Sequence, residues 1–421
     1  MLFAILAIAF VVRLKVADML SKVVFDDTAL YLTAGEILAK EGRFLPPGPD
    51  MEISSKTLTY YNKLLPFWDH HRRRWVLTSV LFAPVFPSFL SGIYLTSKSH
   101  VLLITSYVNI LIATFTCLVI YFLAKELFNP SAGLLASLLS ALTPALVVWS
   151  GFVLTEPLYI FLLSSGVLFI LRSRYLVGGM VLGLAVLTRT HFLGFLPLML
   201  IGLLLGARPG QRMVPLVHVT AGLLLVLVLW STYVFFREKP QLETLVKHVK
   251  IRMELSLASL RAISGSGKGV SFPTFYPHRP ADNLDLYHST YMSYTTRAPD
   301  VPMPGLSAKA IWRKLRYIWA LSPPERWEGK ELLSPLIKLF YGLLFVTALA
   351  GLLVHRRDWR RLLVPVSFPV SFTLIYIPIY AASHFRSRAP IEPFVILFSA
   401  AFFYWLYRRS VESPISKEVG K

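Results

Sequence analysis

Ten runs of apolar residues recur along the chain, at roughly 2–18, 101–124, 131–149, 157–171, 175–188, 192–207, 213–235, 336–354, 362–381 and 391–407. A bilayer has a hydrocarbon core about 30 Å thick, which a helix crosses in about 20 mostly apolar residues. Inside it every backbone N–H and C=O must be satisfied within the protein, so runs of this kind fold as helices. The shorter ones are accommodated by tilt and local thinning. Composition agrees: 55% of residues are apolar and only 16% charged, with a mean hydropathy of +0.58. The expected fold class is therefore an all-α polytopic integral membrane protein.

An eleventh apolar run, 76–97, either spans or lies at the interface. Charge favours the second. With residues 18–100 outside, the inner loops hold Lys125, Arg172 with Arg174, Arg208 with Arg212, the basic stretch 355–361 and the tail from Arg408. That distribution follows the positive-inside rule, and an extra crossing would break it. Pro84 and Pro87 within the run, and Arg72, Arg73, Arg74 and Trp75 before it, suit a helix in the headgroup layer. The expectation is about ten spans, or eleven if 76–97 crosses. The chain then divides into an N-terminal membrane module, 1–235, a large outer loop, 236–335, and C-terminal helices with a short tail, 336–421. The first module carries its own outer loop, 18–100, with an amphipathic helix near 28–41 whose apolar positions are Ala29, Leu32, Ile37 and Leu38. In the second loop, 241–262 and 308–321 read as helices around a Gly- and Pro-rich stretch fit for a lid or docking element.

A net charge of +20 would point a soluble chain toward nucleic acid, but here the basic residues follow the loops, and no basic module stands apart from the spans. No nucleic-acid partner is expected. Cys117, alone and within an apolar run, excludes an intramolecular disulfide framework. The first run opens at Met1 without a basic leader or small-residue cleavage site and reads as a retained anchor.

The remaining ionisable groups gather at one face. Phe25-Asp26-Asp27-Thr28-Ala29-Leu30-Tyr31 follows the first span. Adjacent carboxylates raise one another's pKa and suit a general base, while the same residues could cap the helix that follows. Thr155-Glu156-Pro157 lies at the outer end of two spans, where Glu156 could be a site acid or a helix-end residue ahead of Pro157. Ser383-His384-Phe385-Arg386-Ser387-Arg388-Ala389-Pro390-Ile391-Glu392-Pro393 sets two arginines outside, against the trend of the other short loops. A guanidinium binds phosphate bidentately, so Arg386 and Arg388 are candidate phosphate ligands. The competing reading is an ion pair of either arginine with Glu392. Leu187-Thr188-Arg189-Thr190-His191 offers Arg189 and His191 on the same face. His70 and His71 lack metal-ligand partners at usable spacing, and the glycines at 265, 267 and 269 neither follow a strand nor open a helix.

Taken in order, these motifs resemble the landmarks of the C-type (GT-C) glycosyltransferases. Asp26-Asp27 with Leu30-Tyr31-Leu32 and then Leu38-Ala39-Lys40-Glu41-Gly42-Arg43-Phe44 is similar to their first outer loop. Ala124-Lys125-Glu126-Leu127-Phe128, Thr143-Pro144-Ala145 and Leu154-Thr155-Glu156-Pro157-Leu158 resemble the next landmarks. Gly183-Leu184-Ala185-Val186-Leu187-Thr188-Arg189 resembles the span ending in Thr-Arg-Pro, with Thr190 for the proline, and Arg386-Ser387-Arg388-Ala389-Pro390-Ile391-Glu392-Pro393 the late Arg- and Pro-rich signature. Two departures are Asp27, where the family usually has Glu, and Ala83-Pro84-Val85-Phe86-Pro87, where a double proline is usual. The branch most resembled is that of protein mannosyltransferases and aminoarabinose transferases.

The resemblance implies a polyprenyl-phosphate-linked sugar as donor and transfer with inversion, on the outer face of a plasma or endoplasmic reticulum membrane, to a lipid, protein or glycan. It implies Asp26 or Asp27 as base, Glu156 as second acid, and Arg386, Arg388 and Arg189 at the lipid phosphate. Tyr31, His191 and Glu392 are secondary candidates. No organic cofactor is implied, and a divalent metal, Mg or Mn, is left open. With no large soluble domain after the last span, monosaccharide transfer is the expectation. The rival from another class is a transporter or flippase, which would keep its charges near the midplane and often show paired repeats.

Overall fold

The computed structural model describes residues 1–19, 26–44, 83–97, 99–207, 210, 212–237, 311–312, 315–316, 318–321, 333–376 and 384–411. The expected 241–262 helix, the Gly- and Pro-rich stretch, His70, His71, residues 72–82 and the tail beyond 411 lie outside the described residues, as does part of 308–321.

Helices occur at all ten predicted positions, and there is no strand among the described residues. In chain order they are α1 (Leu2–Met19), α2 (Asp26–Glu41), α3 (Val85–Thr96), α4 (Val101–Leu127), α5 (Pro130–Leu142), α6 (Pro144–Val148), α7 (Glu156–Leu171), α8 (Tyr175–Thr188), α9 (Leu196–Gly206), α10 (Met213–Arg237), α11 (Leu333–Val354), α12 (Trp359–Tyr376), α13 (His384–Arg388) and α14 (Glu392–Val411). Among the described residues, four helices are long and apolar enough to cross a membrane alone: Val101–Leu127, Met213–Arg237, Pro335–Val354 and Arg386–Val411. A bent pair, Pro130–Leu142 with Pro144–Gly151, makes a fifth. The protein is thus a multi-pass helical membrane protein. The twelve residues of α3 reach about 18 Å at 1.5 Å per residue, well short of the hydrocarbon core.

Two local rules account for the break in the fifth. Asn129 caps α5, accepting from the Ala132 N–H at 3.0 Å, and Pro130 takes the first helical position, where no N–H is needed. At the other end Pro144 forces Thr143 out of the helical region, to φ −63° and ψ 118°. The helix stops, restarts as α6, and turns by 61°. The expected single run 131–149 is therefore a broken helix. The run 192–207 likewise opens with a 3-10 turn, Thr190–Gly194, before α9.

Packing is close where glycine removes the side chain. A Cβ on Gly179 of α8 would meet the Val219 carbonyl oxygen at 2.1 Å, and one on Gly222 of α10 would meet that of Leu176 at 2.2 Å. These helices touch backbone to backbone, the usual solution where lipid gives no hydrophobic drive for association. α14 is the centre of the bundle, buried without interruption from Glu392 to Ala401. By contrast, Leu336, Leu339, Leu343, Val346, Leu349 and Leu353 form an exposed apolar stripe along α11. For a chain dissolved in lipid, that stripe is its solvated face.

Candidate active site

α2 packs against α3. Leu32 and Ile37 are buried there, and Tyr31 meets Phe86 edge-on at 5.2 Å. Glu36, fully buried on this face, accepts from Lys40 Nζ at 2.7 Å and from the Tyr94 hydroxyl at 3.2 Å. The hydrogen bond to Glu36 raises the Lys40 pKa, and burial raises that of Tyr94. A polar staple thus fixes α2 to α3.

The N-terminal end of α2 is tied to a second element. The Thr28 hydroxyl donates to the Val153 carbonyl at 3.2 Å, three residues before Glu156. That turn is itself held from α4: Asn109 Nδ2 donates to the carbonyls of Phe152 at 2.8 Å and Leu154 at 3.3 Å, and the Ser106 hydroxyl to that of Gly151. Asp26 and Asp27 occupy the first turn of α2, where the helix dipole favours carboxylates. Their side chains lie outside the described residues, so the choice between cap and base rests on chemistry.

Glu156 opens α7 immediately ahead of Pro157 and is fully buried. Its Oε1 accepts from Arg189 Nη1 at 2.6 Å and also from Arg386 Nε. Arg189 follows the end of α8, and Arg386 lies in α13; their side chains keep 20% and 17% exposure. The Arg386 guanidinium sits 5.9 Å from the Trp149 ring centroid. Tyr31 and Tyr376 lie within electrostatic reach of Arg189. One carboxylate between two guanidiniums leaves a net positive centre, with both arginines partly exposed, which is what an anionic ligand requires. A fixed fork of N–H donors also needs no reorganisation when charge develops on that ligand.

Arg388 goes elsewhere. Fully buried, it donates from Nε to Glu392 at 3.2 Å and from Nη1 to the Ala320 carbonyl at 2.7 Å, with its guanidinium 4.6 Å from the Tyr341 ring centroid. Tyr341 donates to the other Glu392 oxygen at 3.1 Å and accepts from the Ala145 N–H at 3.1 Å. This network joins the start of α6 to α11, α14 and the 318–321 segment. Of the two ion pairs open on the sequence, the one with Arg388 forms. His191 lies in the 3-10 turn after Arg189, and its side chain is outside the described residues.

Sequence reasoning missed several polar residues, among them Arg13, Thr28, Glu36, Asn109, Tyr159 and Tyr341. A lone Arg or Asn in an otherwise apolar run is a signal on its own terms, because it must find partners inside the protein. Arg13 finds backbone carbonyls, those of Ser140 at 3.1 Å and Ala141 at 3.3 Å, at the end of α5. Among the described residues, no group of three or more His, Cys, Asp or Glu is placed to hold a metal ion.

Comparison with known proteins agrees with this architecture. The family model described as dolichyl-phosphate-mannose-protein mannosyltransferase matches residues 81–236. Among solved structures, the oligosaccharyltransferase of Archaeoglobus fulgidus in its apo form superposes with a TM-score of 0.50 at 14% identity, covering 97% of this chain and 52% of that one. The same enzyme tethered by a disulfide to an acceptor peptide containing the NVT sequon gives 0.51 at 13%, covering 98% and 51%. Its complex with an inhibitory peptide and a dolichol-phosphate gives 0.51 at 13%, covering 98% and 52%. The chain therefore spans about half the length of these structures, and at such identity the likeness is one of fold. No curated protein is a significant sequence match. The family model covers the elements that carry Glu156 and Arg189, and the likeness of fold to the oligosaccharyltransferase structures extends over nearly the whole chain.

Proposed function

We propose that this protein crosses the membrane ten times and transfers a sugar from a polyprenyl-phosphate-linked donor to a lipid, protein or glycan acceptor on the non-cytoplasmic face. The observation that carries the reading is the Arg189–Glu156–Arg386 cluster, with the Asp26–Asp27 end of α2 tied three residues away through Thr28 and Val153. Asp26 or Asp27 takes the proton of the acceptor hydroxyl. The acceptor oxygen attacks the anomeric carbon as its bond to the phosphate oxygen breaks, with inversion. The polyprenyl phosphate leaves with the bonding electrons, and Arg189 and Arg386 hold its charge. Glu156 is occupied by both guanidiniums, so it is better suited to setting their spacing than to moving a proton. Arg388, turned into the bundle, positions α13 and with it Arg386.

The transporter reading has less support. Glu156, Arg189 and Arg386 stand at helix ends, and Arg13, a charge within a helix, is held by carbonyls at a helix break. The test is transfer of labelled sugar by the purified protein from a panel of polyprenyl-phosphate monosaccharides, with host membrane extract as acceptor. Label in a product, lost when Asp26→Asn and Asp27→Asn are combined, supports the transferase. Carrier lipid moved across vesicles without any transfer would overturn it in favour of the flippase.

A further inference from the structure

Tyr159 stands one turn into α7 from Glu156, on the same face. Helical side chains lean toward the N-terminus, so its phenol rises toward the Glu156 turn. The residue is 1% exposed, and its hydroxyl has no hydrogen-bond partner among the described residues. A buried, unsatisfied hydroxyl is destabilising, and native proteins keep few of them. The Arg189 guanidinium and the Tyr376 phenol, from two other elements, lie within electrostatic reach of it.

The chemistry of these neighbours narrows what is missing. A guanidinium has five N–H donors and no acceptor, and a phenol has one O–H to donate. An oxygen that accepts from the Tyr159 hydroxyl and from the guanidinium would satisfy both. Glu156 Oε1 already accepts from Arg189 and Arg386. A phosphoryl oxygen accepts several hydrogen bonds at once and carries the charge a guanidinium prefers.

We propose that the Tyr159 hydroxyl is a third donor to the anion held by Arg189 and Arg386, donating to a phosphoryl oxygen of the donor lipid. This rests on the phosphate reading of the Arg189–Glu156–Arg386 cluster and adds a ligand to it from within the bundle. Tyr159 selects for the phosphate end of the donor and takes no proton from the acceptor. In the absence of ligand its hydroxyl contributes nothing to folding, which separates this role from a structural one.

The test is binding of polyprenyl monophosphate, and separately of inorganic phosphate, to the full chain and to Tyr159→Phe in detergent, alongside thermal unfolding of both. Tyr159→Phe should bind the lipid about tenfold more weakly or worse, the effect of losing a hydrogen bond to a charged group. Its melting temperature should be unchanged or raised. The same loss for inorganic phosphate shows that the phosphate group itself is read; a loss for the lipid alone shows that the chain is needed to seat it, and either supports the assignment. Unchanged lipid affinity in Tyr159→Phe, or a lowered melting temperature, overturns it. If the unaltered protein binds no polyprenyl phosphate and Arg386→Ala changes nothing, the phosphate reading of the cluster fails as well.

Discussion

Arg386 and Glu156 are 230 positions apart in the chain and share a hydrogen bond, from the guanidinium Nε to the carboxylate Oε1. The same oxygen accepts from Arg189, so a single buried atom joins the starts of α7 and α13 to the end of α8. Neither arginine is placed by its own helix alone. The positive centre exists because one carboxylate holds both forks in register.

Removing that carboxylate is therefore expected to do more than delete an acid. Glu156→Ala leaves two guanidiniums facing each other with nothing between, and breaking a buried pair from one side costs about 3–5 kcal/mol. The melting temperature should fall clearly. Arg386→Ala leaves Glu156 with Arg189 and should fold, yet lose about 100-fold or more in turnover, the scale of one preorganised charge-stabilising donor. Arg386→Lys should recover folding fully and activity only in part, because an ammonium cannot reproduce the fork. Unfolding curves beside single-turnover transfer rates check all three; equal turnover in Arg386→Ala would remove the arginine from the reaction.

A second expectation concerns the staple between α2 and α3. Glu36→Gln keeps the size of the side chain but removes the charge to which Lys40 and Tyr94 are bonded. The Asp26–Asp27 end of α2 should loosen, so amide exchange in α2 should speed up while that of α4 does not change. The sign with pH follows from Lys40, whose pKa is raised above 10.5 by Glu36. Its contribution is fully present below 10.5 and fades as pH climbs through the higher folded value. Exchange in Glu36→Gln that matches the parent protein at neutral pH would show the staple to be idle.

The helices were legible in the sequence because lipid imposes one rule on all of them: a run of apolar residues must close its own hydrogen bonds. The broken helix at Thr143-Pro144 was harder to see, since its two halves are equally apolar and only one proline marks the bend. The motifs around Asp26, Glu156, Arg189 and Arg386 could be read as belonging to one face. Their pairing was legible only in part: Arg388 stands four residues from Glu392, the spacing of neighbours on one helix face, but nothing local ties Arg386 to Glu156. What decides is depth. Arg388 is fully buried beside Tyr341 and the Ala320 carbonyl, and Arg386 stays partly exposed beside Glu156. No local pattern encodes the meeting of Arg386 with Glu156, 230 positions away.

Arg13 gives a third prediction. Its guanidinium donates to the carbonyls of Ser140 and Ala141, left without helical partners by the break after Leu142, and to Cys117 Sγ at 3.4 Å. It also lines a small cavity with Ser140, Trp149 and Pro157. Cation at a helix C-terminus is the favourable polarity. Arg13→Met keeps the bulk and removes the donors, and should cost about 2–3 kcal/mol for the carbonyls it strands. Arg13→Lys should restore roughly half of that. The comparison is made by chemical unfolding in detergent, and an Arg13→Met protein as stable as its parent would show that water takes over at the break.

The buried pair of Arg388 and Glu392 supports the last prediction, because both partners are fully inside and four residues apart on the same chain segment. Taking two charges out of water costs several kcal/mol each, and only good geometry and added hydrogen bonds recover it. Here the added bonds are present: Tyr341 to Glu392, and Arg388 to the Ala320 carbonyl. Either single change, Arg388→Met or Glu392→Gln, strands a partner and should cost about 3–5 kcal/mol. The double change strands neither charge, so it should cost less than the sum by about 2 kcal/mol or more, the coupling expected between neighbours in one network. Activity separates the two arginines. The double variant keeps Arg386 and should transfer faster than Arg386→Ala, although Arg386→Ala is the more stable protein. Additive costs would mean that each residue acts through packing alone, and that Arg388 is held by the faces of Tyr341 and Phe345 and not by its carboxylate.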